Sequence, residues 1–155
     1  MPKLSEIPAG LLSEQAAKTR FIILATVNEF NQPVQRALGS WALDGITLYF
    51  STGAQSAKVK HIRQNPNVSI IVQQEGQELG TFVNVAINGT AVEAVGEEQR
   101  KKVIGAISAK SPRFKERAEK GLLGDSALFT VNPRLVKVLD FSKGNGPAAT
   151  VTYDI

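Results

Sequence analysis

Nothing but Asp44-Gly45 separates two apolar runs, Val34–Leu43 and Ile46–Phe50. A link that short turns a chain back on itself, whereas a crossover to a parallel strand needs a dozen residues or more. Asp-Gly also suits the turn, because both central positions of a tight type I′ hairpin need positive φ. The two runs are therefore expected to form an antiparallel hairpin in which Leu43 faces Ile46.

Other short runs follow the same grammar. Phe21–Val27, Val68–Val72, Ala127–Val131 and Leu135–Phe141 read as strands, and Val151–Tyr153 as a short edge strand. Thr81–Val95 is longer and is interrupted at Asn88-Gly89, which fits either a second hairpin or one bent strand with a glycine bulge. Ser13–Lys18 reads as a short helix capped by Ser13. In Glu97–Lys110, Val103, Ile104 and Ile107 recur at helical spacing, with glutamates at the start and a lysine at the end, as the helix dipole favours. Ser111-Pro112 then breaks the chain before a charged helical piece, Arg113–Lys120. Six or more short strands with helices between them predict one α+β domain over residues 1–155: an antiparallel barrel with helices over its openings or at one side.

Composition narrows the chemistry. There are no cysteines, so disulfides, thiolate metal sites and cysteine nucleophiles are excluded. The only histidine is His61, which excludes multi-histidine metal sites. Lying mid-helix among basic residues, it reads as a packing or surface residue. Trp41 likewise reads as a core or interface residue. The N-terminus lacks the apolar run of a signal peptide, and no stretch approaches membrane-spanning length, so a cytoplasmic protein is expected. A net charge of +4 fits a small anionic ligand, weak nucleic-acid contact, or simply a solvated surface. The 7 Phe, 2 Tyr and 1 Trp do not interleave with the lysines as a base-stacking platform would need.

The segment Ser51–Pro66 carries the most chemistry. Val59 and Ile62 share one face of a helix over Gln55–Asn65, and Ser56 is placed to cap it, with Lys58 in the first turn. That turn leaves backbone N–H groups unpaired and partially positive, which suits a phosphate. Ser51, Thr52 and Ser56 add hydroxyls, Lys58 adds a full charge, and Gly53 lets backbone approach closely. A lysine in a first turn opposes the helix dipole unless an anion offsets it. The plainer alternative is a capped surface helix. Counting back across the Asp44-Gly45 turn places Arg36 opposite Gly53, near the helix start, where its planar fork can grip phosphate from the side.

Taken in order, Leu24-Ala-Thr-Val27, Gln32-Pro33, Arg36, Leu48-Tyr-Phe-Ser-Thr52, Ser56-Ala-Lys-Val59, Arg63-Gln-Asn-Pro-Asn-Val68, Ile87-Asn-Gly-Thr-Ala-Val-Glu93 and Val131-Asn-Pro-Arg134 resemble the pyridoxamine 5'-phosphate oxidase-like superfamily of FMN-binding split barrels. The small general-stress and oxidase-related flavin-binding branch is the most similar. The resemblance covers residues 10 to 142. It implies a six-stranded antiparallel split barrel and a homodimer with FMN at the interface. It also implies flavin contacts from the backbone of Arg36, Ala37 and Leu38, and a phosphate site at Ser51, Thr52, Ser56 and Lys58. Asn84 matches a position where an amide faces the flavin ring, and Thr81–Val95 becomes one bent strand. The C-terminal tail lacks the arginine and tryptophan of the namesake enzymes, so the namesake activity is not expected. What the resemblance implies instead is an oxidoreductase acting on a small molecule at the flavin, with NAD(P)H as electron source. A non-catalytic FMN store or redox sensor, or a deazaflavin-dependent reductase, would use the same pocket.

Overall fold

The computed structural model describes residues 1–155. Eight strands and four α-helices follow one another as α1 (Leu11–Lys18), β1 (Ile22–Val27), β2 (Pro33–Leu38), β3 (Trp41–Asp44), β4 (Thr47–Gly53), α2 (Ala57–Gln64), β5 (Asn67–Val72), β6 (Val83–Glu93), α3 (Glu97–Lys110), α4 (Pro112–Glu119), β7 (Ser126–Asp140) and β8 (Thr150–Asp154). The sheet runs β2-β1-β5-β6-β7-β4-β3, with β8 also paired to β7, and every strand pair is antiparallel. None of the helices is long and apolar enough to cross a membrane.

The antiparallel α+β class is as expected, but the strands number eight rather than six. With Thr81–Val95 as one strand, the runs read from the sequence already number eight, and one split and one merger among them leave that number unchanged. Val34–Leu43 is not one strand. It breaks at Gly39–Ser40, so β2 pairs with β1 while β3 pairs with β4. The run Val151–Tyr153 extends into a full strand, β8, along the C-terminal half of β7. In the other direction, Ala127–Val131 and Leu135–Phe141 are halves of a single strand.

The β3–β4 register also differs. Leu43 faces Leu48 rather than Ile46, and Asp44 faces Thr47. Gly45 and Ile46 are thus the turn residues, and only Gly45 has positive φ, at 63°. A glycine at the first central position is the type II′ solution, which leaves Asp44 as the last residue of its strand. The first helix starts earlier than expected, with Gly10 rather than Ser13 at its N-cap.

β6 is one bent strand. Its register with β7 shifts between Asn88, opposite Leu135, and Gly89, opposite Pro133, so Arg134 is the extra residue of a bulge. A bulge tolerates proline because the ladder is already interrupted there. Beyond it, β7 is free to serve two partners. Its first half pairs with β4 and its second half with β8.

Inward-facing residues of the curved sheet form the main core, including Leu24, Ile70, Ile87, Val136 and the stacked rings of Phe50 and Phe129, whose centroids are 5.0 Å apart. A second cluster on the opposite face of β3, β4 and β7 packs Tyr49 and Leu128 under Val103 and Ile107 of α3 and Phe114 of α4. No helix covers the outward face of the other half. Cross-strand neighbours there run Ala37–Ile23–Ile71–Ala86–Lys137–Thr152, small or apolar for four positions.

Candidate functional site

Arg36 does not lie opposite Gly53. Its strand partner is Leu24 on β1, because β2 leaves β4 at the Gly39–Ser40 break. It is nevertheless linked to α2 by another route. α2 packs over β1, and the Arg36 side chain shares the inward face of β1 with Thr26. Nη1 of Arg36 donates to Thr26 Oγ1 at 2.7 Å, to Val34 O at 3.0 Å and, more weakly, to Leu24 O at 3.4 Å. Thr26 Oγ1 lies 2.9 Å from Nδ1 of His61 on α2.

Only one of the three guanidinium nitrogens is engaged. Nε and Nη2, the edge that grips an oxyanion side-on, make no hydrogen bond within the chain. Arg63 shows what that edge does when an acid is present: its Nε and Nη2 each donate to a Glu93 oxygen at 2.9 Å. Arg36 has no such acid. The chain's four ion pairs, Lys3–Asp154, Arg63–Glu93, Lys101–Glu97 and Lys120–Glu116, include neither Arg36 nor Lys58.

Lys58 stands in the first turn of α2, half-buried. Burial, and then the charge of Arg36, lower the pKa of its ammonium, while burial lowers that of the Arg36 guanidinium. Two partly desolvated cations therefore face each other with no counter-charge, an arrangement that an anion would relieve. The surroundings add donors. Ser56 occupies the N-cap of α2 as expected, but its side chain makes no cap bond to the helix. It lies 3.5 Å from the Thr52 hydroxyl instead. Ser51, just upstream on β4, is buried. The first turn of α2 carries no acidic residue. Thr52 and Ser56 flank the corner at the start of α2, and Arg36 acts on Lys58 in its first turn; the Ser51 side chain shares the face of Tyr49, on the other side of β4. In donor type and charge, Thr52, Ser56, Lys58 and Arg36 suit a phosphate.

The remaining expected residues sit along the sheet. Ala37 is exposed on the outward face and Leu38 is buried on the inward one. β2 is an edge strand, so alternate N–H and C=O groups of Arg36–Leu38 have no strand partner. Asn84 lies on β6, three strands away from β2, with its amide donating to Gln73 Oε1 at 3.2 Å. At about 4.8 Å per strand that is roughly 14 Å within one chain, so Asn84 is not part of this corner.

His61 packs on α2 with its Nδ1 against the Thr26 hydroxyl. Sequence reasoning missed Thr26, which joins Arg36 to His61. It also missed Lys110, which lines a cavity of about 510 Å³ beyond the other end of β2, together with Arg20, Phe21, Trp41, Arg113 and Arg117. Lys110 Nζ sits 3.3 Å from the centroid of the Trp41 ring and donates to Thr19 O at 2.9 Å and Ala16 O at 3.2 Å, carbonyls at the end of α1. Burial lowers its pKa from 10.5 to about 8. The unfolded chain keeps this proton up to the ordinary lysine value, so between these two pH values the unfolded state binds more protons. The burial penalty is present in full below pH 8 and disappears as pH rises through that window. Urea unfolding across the window should show stability rising with pH in the native chain relative to Lys110→Met, and parallel curves would refute this.

Comparison with known proteins adds a sequence-level finding. The sequence model of the family described as "Pyridoxamine 5'-phosphate oxidase" matches residues 11–140. No curated protein matches the sequence. Several solved structures share the fold. A conserved hypothetical protein from Mycobacterium tuberculosis is 19% identical, with a TM-score of 0.73 over 88% of this chain and 86% of that one. A FAD-binding protein from Mesorhizobium loti is 21% identical, with a TM-score of 0.66 over 85% and 94%. HutZ, the heme storage protein from Vibrio cholerae, is 18% identical, with a TM-score of 0.66 over 81% and 89%.

Proposed function

The chain belongs to the pyridoxamine 5'-phosphate oxidase family, and from that premise we propose that it is a flavoprotein which binds FMN and acts as an oxidoreductase on a small molecule. The observation that carries the reading is the uncompensated pair of cations, Arg36 and Lys58, beside the start of α2. The free Nε/Nη2 edge of Arg36, the Lys58 ammonium and the first-turn N–H groups of α2 would hold the cofactor's phosphate. The hydroxyls of Thr52 and Ser56 would complete its hydrogen bonds. The unpaired backbone of the edge strand at Arg36, Ala37 and Leu38 would meet the polar rim of the ring system. Bound flavin supplies hydride or electron transfer, so the chain itself needs no cysteine, metal or paired acid. Its residues have to bind, orient and exclude water.

A homodimer completes the proposal. The uncovered outward row Ala37–Ile23–Ile71–Ala86 is the face that a second copy would cover, and Ile23 is 36% exposed in the single chain. Asn84 lies on the same outward face, so any contact it makes with flavin is expected across that interface.

The absorbance spectrum of the protein as purified, followed by anaerobic NADH or NADPH, tests this reading. Flavin bands that bleach are expected. Flavin bands that persist would point to a store or redox sensor, and a deazaflavin spectrum to the corresponding reductase. A Soret band without flavin would overturn the proposal in favour of haem, the ligand class named for the Vibrio cholerae structure.

A further inference from the structure

We propose that Thr26, backed by His61, is the positioning residue that presents Arg36 to an anion, an inference that rests on the phosphate reading of this corner. Thr26 is 1% exposed, a cost for a hydroxyl that only satisfied hydrogen bonds offset. Those bonds have a direction. A guanidinium nitrogen can only donate, so Thr26 Oγ1 accepts from Arg36 at 2.7 Å. The single hydroxyl hydrogen is then left for His61 Nδ1 at 2.9 Å. The relay so assigned has Nδ1 as the bare, accepting nitrogen and the ring proton on Nε2, the arrangement in which every hydrogen of the buried hydroxyl is used.

The relay Arg36–Thr26–His61 spans β2, β1 and α2. It fastens the strand that bears one cation to the helix that bears the other, Lys58. It also fixes the rotation of the guanidinium. With Nη1 held by Thr26 and by Val34 O, the Nε/Nη2 edge is the one left for a ligand. Without the hydroxyl, two carbonyls remain, one of them at 3.4 Å, and the planar fork can turn away. Affinity is then lost through orientation, with every phosphate-binding group still present.

The test compares FMN with riboflavin, which lacks the phosphate, by quenching of flavin fluorescence, and reads the His61 tautomer from its ring ¹⁵N shifts in flavin-free protein. Thr26→Val, equal in shape, should weaken FMN about 10-fold, the share of one charge-assisted hydrogen bond, and leave riboflavin binding unchanged. Thr26→Ser should restore FMN binding. The tautomer should be Nε2–H in the native chain and in Thr26→Ser, and mixed in Thr26→Val. Equal losses for both flavins, or unchanged FMN binding in Thr26→Val, would overturn the role. If the native chain binds neither flavin, the proposed cofactor fails, while a native His61 protonated on Nδ1 would by itself overturn the relay.

Discussion

Arg36→Ala combined with Lys58→Ala is expected to abolish retention of FMN through purification while leaving the far-ultraviolet circular dichroism unchanged. Hydrogen bonds to charged groups contribute about 1.5–3 kcal/mol each. Two such groups then account for roughly 10²- to 10⁴-fold in dissociation constant. The less obvious half of the result concerns the flavin-free protein. Both cations are partly desolvated and Arg36 acts unfavourably on Lys58. Lys58→Ala alone relieves that repulsion and keeps the bonds of Arg36 to Thr26 and Val34, so the melting temperature of this flavin-free single variant should match or exceed that of the native chain. Such an exchange of stability for binding is what a built site predicts and a solvated basic surface does not. Unchanged flavin content in the double variant would remove the assignment.

Gly89→Ala should be the most damaging conservative change in the sheet. A Cβ at this position would lie 2.4 Å from Asn132 O, 3.1 Å from Asn132 C and 3.2 Å from the Pro133 Cα. All three are backbone atoms of the partner strand, held in place by the bulge at Arg134. No side chain can swing aside, so the strand itself must move, at about 3 kcal/mol, the upper end of overpacking penalties. Gly105→Ala is the matched control. Gly105 is exposed in the middle of α3 with open space where its Cβ would go. There alanine should stabilise by up to about 1 kcal/mol. Urea unfolding of the two variants should therefore move in opposite directions, and a Gly89→Ala midpoint equal to the native one would contradict the close approach.

The helices were the most legible part of the chain, because their signals are local. Glutamates open α3, Lys110 closes it, and Ser111-Pro112 starts the next. The strands were legible in kind but not in extent. Gly39-Ser40 sits inside an apolar pattern, and nothing nearby says that the chain changes partner there. Asn132-Pro133-Arg134 looks like a loop on local grounds, yet β6 holds it extended across a bulge. The β3–β4 register differs from the Asp-Gly pattern because Gly45-Ile46 satisfies the backbone with one positive φ instead of two.

The site was legible for the same local reasons at α2, where Ser56 and Lys58 stand in the first turn and Ser51 and Thr52 just before it. Arg36 is tied to His61 on α2 through Thr26 on β1, rather than placed by pairing with β4. That link follows a path the sequence pattern does not encode. Thr26 is ten residues from Arg36 and thirty-five from His61. No spacing rule links positions that meet only once three elements have packed.

The double duty of β7 sets the order in which this chain can acquire its shape. β4 and β6, made long before it, each need Ser126–Asp140 to satisfy one edge. During synthesis those edges stay open until Ser126–Asp140 has emerged, a non-local step that slows folding and invites association between nascent chains. The burden of avoiding aggregation at these two edges therefore falls on β7, whose arrival closes both together.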